Sequence, residues 1–185
     1  MIPGNTILGK IRNLRRTLVR DEEGVSAVEF ALVLPVLILI YLAGTELSQA
    51  VTVDRKLTTA AGSVGDLVAQ GTIINSAEMD DIFSAAQAIL APYDTATLKL
   101  VVSSVNITSN GDKVLNSCAY HTSPRTKGSN ITVPEGVRVE GTTLIITEAQ
   151  FEYIPKLGQI LTESIYLTDT FYMRPRQVDE VILPC

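Results

Sequence analysis

Residues 22 to 42 read EEGVSAVEFALVLPVLILIYL, and this run limits the fold more than any other stretch of the chain. From Phe30 to Gly44 there are fifteen residues without a charge, and adding Val25 to Glu29 and Thr45 gives an apolar segment of about twenty-one. As a helix rising 1.5 Å per residue it is ~31 Å long, close to the hydrocarbon thickness of a bilayer. Pro35 lies inside it. Proline in the interior of a soluble helix removes a backbone bond and clashes with the preceding turn, whereas a membrane helix tolerates it with a kink. Glu29 is the anomaly. A charge at the centre of a bilayer helix costs about 2.5–3.5 kcal/mol on insertion scales, so this carboxylate calls for a partner.

Charge on either side of the run gives it a direction. The first twenty residues hold Lys10, Arg12, Arg15, Arg16 and Arg20 and no acid, and the acids begin at Asp21. From Val25 onward ten of the fifteen Lys/Arg remain against seventeen of the twenty Asp/Glu, a balance of −7. A basic flank followed by an apolar run is the positive-inside arrangement, which places the amino terminus in the cytoplasm and residues beyond about 45 across the membrane. The expected organisation is a basic cytoplasmic leader over 1–24, a transmembrane helix over 25–45, and an exported domain over 46–185. An acidic body without a basic patch excludes nucleic acid as the expected partner.

Three readings of the run compete. A cleaved secretory signal needs a small-x-small site after the apolar core, and AGTELSQA at 43–50 matches this poorly. An uncut signal anchor leaves Glu29 as a carboxylate reaching for interfacial water. A prepilin-type leader, cut on the cytoplasmic side after Gly24, requires glutamate at the fifth mature position, and Val25, Ser26, Ala27, Val28 and Glu29 supply it in register. Cutting frees an amine on Val25, and residues i and i+4 share a helix face. Ammonium and carboxylate then lie one turn apart at a helix amino terminus, where negative charge is favoured. Between chains, Glu29 of one subunit can receive the amine of a neighbour, and such a pair suits register better than bulk affinity.

Beyond the membrane segment, residues 46–70 keep a helical beat, with Leu47, Ala50, Val51, Leu57, Ala61, Val64 and Val68 as the expected buried stripe and Glu46, Arg55, Lys56 and Asp66 off it. Gly62 and Gly65 weaken the helix locally, and Gly71 ends it. A helix over 25–70 would be roughly 69 Å long. A second helix starts with a capping-box spacing at Asn75 and Glu78 and stops before Pro92. Strands follow at 97–108, 113–122, 142–154 and 164–173, the first two joined by the turn signal Asn110-Gly111-Asp112. The stretch 123–130 reads as a loop, 155–163 as a connection or short helix, and Arg174-Pro175-Arg176 closes the last strand. The fold class is α+β, a long amino-terminal helix packed on a small, mostly antiparallel sheet.

Little in the sequence suggests catalysis. His121 is the single histidine, and with two cysteines it makes no zinc spacing. GSVGD at 62–66 fits neither phosphate-loop template. Asp80 and Asp81 are adjacent, hence on different helix faces, and read as solvated charge. Two Asn-Ile-Thr sequons start at Asn106 and Asn130, and Arg174 and Arg176 are candidates for an acidic surface. No enzyme, cofactor or metal is expected. Cys118 and Cys185 are either two unpaired thiols or, if the body is exported, a disulfide tying the carboxy-terminal residue to the middle of the domain.

The segment GVSAVEFALVLPVLILIYLAGTELSQAVTVDRKLTTAAGSVGDLVAQ (24–70) resembles the amino-terminal region of the TadE-like minor pseudopilins of the tight-adherence (Tad, or Flp) type IV pilus, with Gly24, Glu29, Phe30, Pro35 and Glu46 at the motif positions. ITEAQFEYIP and YMRPR are similar to the tails of larger TadE/TadG-like members. The resemblance implies a pilin-like subunit cut between Gly24 and Val25 by a prepilin peptidase, an intramembrane aspartyl protease, with methylation of the new amine as a second reaction of that enzyme class. It implies a bacterial inner-membrane protein, single-pass, with its amino terminus cytoplasmic and its body periplasmic. The implied partners are the lipid bilayer, the major Flp pilin, a sister minor pseudopilin and the inner-membrane platform proteins. The alternative from the residues alone is an uncleaved single-pass anchor with a periplasmic binding or adaptor domain.

Overall fold

The computed structural model describes residues 22–155 and 163–185. The basic leader up to Asp21 and most of the expected connection at 155–163 lie outside the described residues. The chain divides into two compact units, Met1–Thr45 and Glu46–Cys185. Helix α1 (Glu22–Gln70) contributes to both.

In the first unit, residues 24–40 of α1 are exposed without interruption. The most apolar window of the helix has a mean hydropathy of 2.4 and none of it is buried. Phe30, Leu32, Leu37 and Ile40 are each about half exposed or more. Among the described residues α1 is the one helix long and apolar enough to cross a membrane.

In the second unit, α1 and helix α2 (Ser76–Leu90) lie on one face of a five-stranded antiparallel sheet. The strands are β1 (Lys99–Thr108), β2 (Gly111–Tyr120), β3 (Asn130–Ile131), β4 (Thr143–Tyr153) and β5 (Ile165–Met173), in the order β3-β2-β1-β4-β5. The hairpin expected at Asn110-Gly111 forms, with Thr108 paired to Gly111, whose φ of +117° suits a residue lacking Cβ. The sequence reading missed β3, two residues long, which takes the last residue of the expected loop, Asn130, together with Ile131. The pairing of β1 with β2 shifts between Ser104 and Val105, so Leu115 is an extra residue on β2.

The helical face of the sheet carries the main core. α1 supplies Ala50, Val53, Leu57, Ala60, Ala61, Val64, Val68 and Ala69 to it. This corrects the expected stripe: Leu47 and Val51 are 62% and 44% exposed, while Val53, Ala60 and Ala69, which the sequence reading passed over, are buried. Glu46, itself buried, lies one turn before Ala50 on that face. Gly62 and Gly65 are contact points, not weak ones. A Cβ on Gly62 would sit 3.3 Å from the Phe171 ring, and one on Gly65 would sit 3.0 Å from Thr147 Oγ1. They let the helix backbone approach β4 and β5 closely.

α2 opens with the expected capping box: Glu78 N–H donates to Asn75 Oδ1 and Asn75 N–H to Glu78 Oε2, both at 3.0 Å. It buries Met79, Phe83, Ala86 and Leu90. Its carboxy-terminal carbonyls accept from Lys56 Nζ of α1, at Ile89 O (3.1 Å) and at Ala91 O. A cation is favourable there because the helix carbonyls end unpaired. The opposite face of the sheet has a smaller core, Val105, Ile107, Val114, Leu144 and Ile146, covered by Val133 and Val137 from the segment before β4.

Candidate functional site

Gly24, Val25 and Glu29 all lie in the opening turns of α1 and all are exposed, Val25 by 54%. Val25 and Glu29 are four residues apart in one continuous helix, so they share a face one turn apart. The Gly24–Val25 peptide bond is itself within the helix, which begins at Glu22. Glycine is the residue at which a helix unwinds with least loss, about 1 kcal/mol below alanine in helix preference. Pro35 is interior to α1 and exposed. Lacking an N–H, it leaves the carbonyl of Ala31 without its usual partner one turn ahead.

Glu46 opens the second unit and is only 1% exposed. Its charge, after burial and the nearby Tyr93, helps to push the phenol of Tyr153 above its ordinary value. The motif acid of this helix is therefore part of the core near Tyr93 and Tyr153, where the sequence reading had placed it off the buried stripe.

Cys118 and Cys185 are joined as a disulfide across 67 residues of sequence. Cys118 is buried on β2 and Cys185 is exposed. The tail is pinned over its length: Val181 and Leu183 are buried, Ile182 bridges to Ile73 in parallel, Ile74 N–H donates to Ile182 O (2.9 Å), and Ile182 N–H to Thr72 O (3.2 Å). Arg176 makes a similar tie, its N–H donating to Ala69 O at 2.9 Å and its guanidinium pairing with Asp66. Arg176, a candidate for an acidic partner by sequence, is thus engaged within the domain.

Two further arginine pairs had no signal in the sequence because their members are far apart. Arg125 pairs with Glu148 through Nε (2.7 Å) and Nη2 (2.5 Å), and this hydrogen bonding raises the guanidinium above its ordinary pKa. Arg138 contacts the buried Asp112 carboxylate at 3.2 Å and donates to Thr108 O at 2.7 Å, fastening the segment before β4 to the β1–β2 hairpin. The Arg125–Glu148 pair borders an open cleft of about 400 Å³ lined also by Lys99, Gln150, Thr168 and Thr170. His121 is exposed, has a positive φ of 53° and stacks on Tyr120 at 3.8 Å between ring centroids. Asp80 and Asp81 are exposed on α2.

Compared with known proteins, residues 24–64 match the family model described as TadE-like protein. No curated protein matches the chain, and no solved structure matches it. The matched segment holds Gly24, Glu29, Pro35 and Glu46 together, and with it the exposed apolar window of α1. Residues 24–64 are thus similar to the TadE-like family, and the same segment carries the one apolar helix among the described residues that is a candidate membrane anchor.

Proposed function

We propose that the protein is a minor pseudopilin that takes part in assembling a Tad/Flp-type pilus. A prepilin peptidase cuts between Gly24 and Val25, and the mature chain stays in the bacterial inner membrane through residues 25–45, its body over 46–185 in the periplasm. The observation that carries this reading is the Gly24–Glu29 register inside the TadE-like segment, on a helix whose apolar window is wholly exposed. The amine of mature Val25 and the Glu29 carboxylate neutralise one another, within one chain or between neighbouring subunits. An unpaired member of such a pair in lipid is costly, so the pairing fixes the stagger of adjacent helices. Pro35 introduces a kink that helps the helix fit among its neighbours. The partners are the major Flp pilin, a sister minor pseudopilin and the platform proteins; the protein has no enzymatic role of its own.

Replacing Glu29 with Gln keeps the size and removes the charge. Cells carrying this variant are expected to make the protein, insert it and lose fibre assembly. Fibres in normal number from Glu29→Gln cells would refute the pairing. The second reading, an uncut anchor bearing an adaptor domain, draws on the helical state of the Gly24–Val25 bond, which must unwind before any protease can reach it.

A further inference from the structure

β5 closes one side of the sheet. The direction of its backbone groups follows from the ladder. Ile107 N–H donates to Thr142 O and Gly141 N–H to Ile107 O, so the odd-numbered residues of β1 bond toward β4. In antiparallel pairing the bonded residues alternate. Across the uninterrupted register Ile145↔Met173 to Tyr153↔Ile165, the odd residues of β5 therefore bond to β4. The N–H and C=O groups of Tyr166, Thr168, Thr170 and Tyr172 point outward. Thr170 N–H agrees with this, donating to the side chain of Asp169 at 2.8 Å instead of to β4. Among the described residues no backbone bond reaches this edge.

Sheet edges are normally blunted by shortness, lysine, proline, a bulge or an inward-pointing charge, and of these β5 has only the last, in Asp169. The other edge of this sheet is the two-residue β3. β5 is nine residues long, contains no Lys or Pro, has no register shift, and carries one charge, Asp169. We propose that the outer edge of β5 is a docking edge for an extended segment of a partner protein, a strand with Lys or Arg facing Asp169. This does not depend on whether the leader is cut.

The chemistry of the edge specifies the occupant. Four outward acceptors and three open donors at a two-residue repeat, the fourth donor (Thr170 N–H) being held by Asp169 Oδ1 until a strand displaces it, are satisfied by another extended backbone. Asp169 falls in a non-hydrogen-bonded pair with an added strand, where facing side chains come closest. Leu167 and Phe171 flank it on the same side of the sheet, partly buried against the helical core. Thr168 and Thr170 lie on the other side, on the rim of the 400 Å³ cleft. The fitting strand reads apolar-polar-cation-polar-apolar. A second copy of this chain fits less well: two β5 edges paired about their centres bring Asp169 against Asp169.

The test uses the full chain in detergent micelles and a labelled peptide of sequence Thr-Val-Thr-Lys-Thr-Val-Thr. Fluorescence anisotropy is expected to show binding that weakens at least tenfold when the central Lys becomes Glu, and that preference should vanish in Asp169→Asn. Thr168→Pro removes an outward N–H and no bond to β4, so it should abolish binding with an unchanged circular dichroism spectrum and urea midpoint. Methylating the peptide nitrogens that face β5 should abolish binding to the unaltered protein, and methylating the others should not. In the free chain the amides of Thr168 and Tyr172 should exchange faster than those of Leu167 and Phe171, and become protected with peptide. Equal protection of both sets without peptide, equal binding of the Lys and Glu peptides, failure of the Lys peptide to bind, or full binding by folded Thr168→Pro would overturn the proposal. Self-association without peptide that Thr168→Pro removes would assign the edge to a second copy and overturn it equally.

Discussion

Gly65 offers a test of how α1 is seated on the sheet. A Cβ built there lies 3.0 Å from Thr147 Oγ1 and 3.6 Å from Met173 Sδ. Thr147 is fully buried in a central strand, so it has little room to yield. Gly65→Ala has two opposed effects. Helix preference favours Ala by about 1 kcal/mol. Forcing a methyl into a filled contact costs about 1–3 kcal/mol. The expected net effect is a loss of about 1 kcal/mol, opposite in sign to the gain of a Gly→Ala change in an unencumbered helix. The double change makes the argument sharper. Thr147 Oγ1 is buried and has no hydrogen-bond partner among the described residues, so Thr147→Ala breaks no bond. In the Gly65→Ala background it clears the collision, and the two changes together should be more stable than the sum of the single ones by about 1–2 kcal/mol. Urea unfolding of the full chain in micelles, followed by circular dichroism, measures all four corners of this cycle. If Gly65→Ala alone stabilises by about 1 kcal/mol and the two changes simply add, α1 does not lie against β4 as described.

Three further outcomes follow from particular contacts. Cys185→Ser opens a 67-residue loop, and the chain-entropy relation sets the loss of stability at about 4 kcal/mol, an upper figure that denaturant titration with and without reductant will check. Arg138→Met should destabilise more than Arg125→Met in thermal melts, because Asp112 is left as a buried carboxylate whereas Glu148 is about a third exposed and can turn to water. Tyr153 is buried, and burial first, then Tyr93 and Glu46, raise its phenol above the ordinary value. The fold therefore favours the neutral phenol: its contribution is complete below pH 10 and is lost as pH rises through the folded value. Tyr153→Phe should flatten the fall in denaturation midpoint above pH 10, and an unchanged slope there would contradict the assignment.

Local signals carried most of the sequence reading. The apolar run, the Asn75–Glu78 capping box, the Asn110-Gly111 turn and the alternation along 164–173 each depend on neighbours within a few residues, and each appears in the fold. The phase of α1 beyond the membrane segment was harder to read. Its true stripe uses Glu46, small Ala60 and Ala69, and two glycines, residues that carry little hydropathy. Leu47 and Val51 were more conspicuous and lie outside it. Apart from the Cys118–Cys185 disulfide, which the two cysteines already offered as one reading, long-range features left no mark. Arg125 finds Glu148 and Arg138 finds Asp112 across 23 and 26 residues, and the tail reaches Thr72–Ile74 only because the sheet and both helices bring them together. The outward edge of β5 depends on strand order, which nothing in a single strand reveals. The Gly24–Glu29 register is the reverse case, legible in six residues that all lie in the opening turns of α1.

That register makes the mass of the mature amino terminus the most direct measurement. The protein should be recovered from membranes of cells with an active prepilin peptidase and, in parallel, from cells lacking it. A chain beginning at Val25 in the first and at Met1 in the second is the expected result. An intact Met1 start in cells that assemble fibres would contradict it.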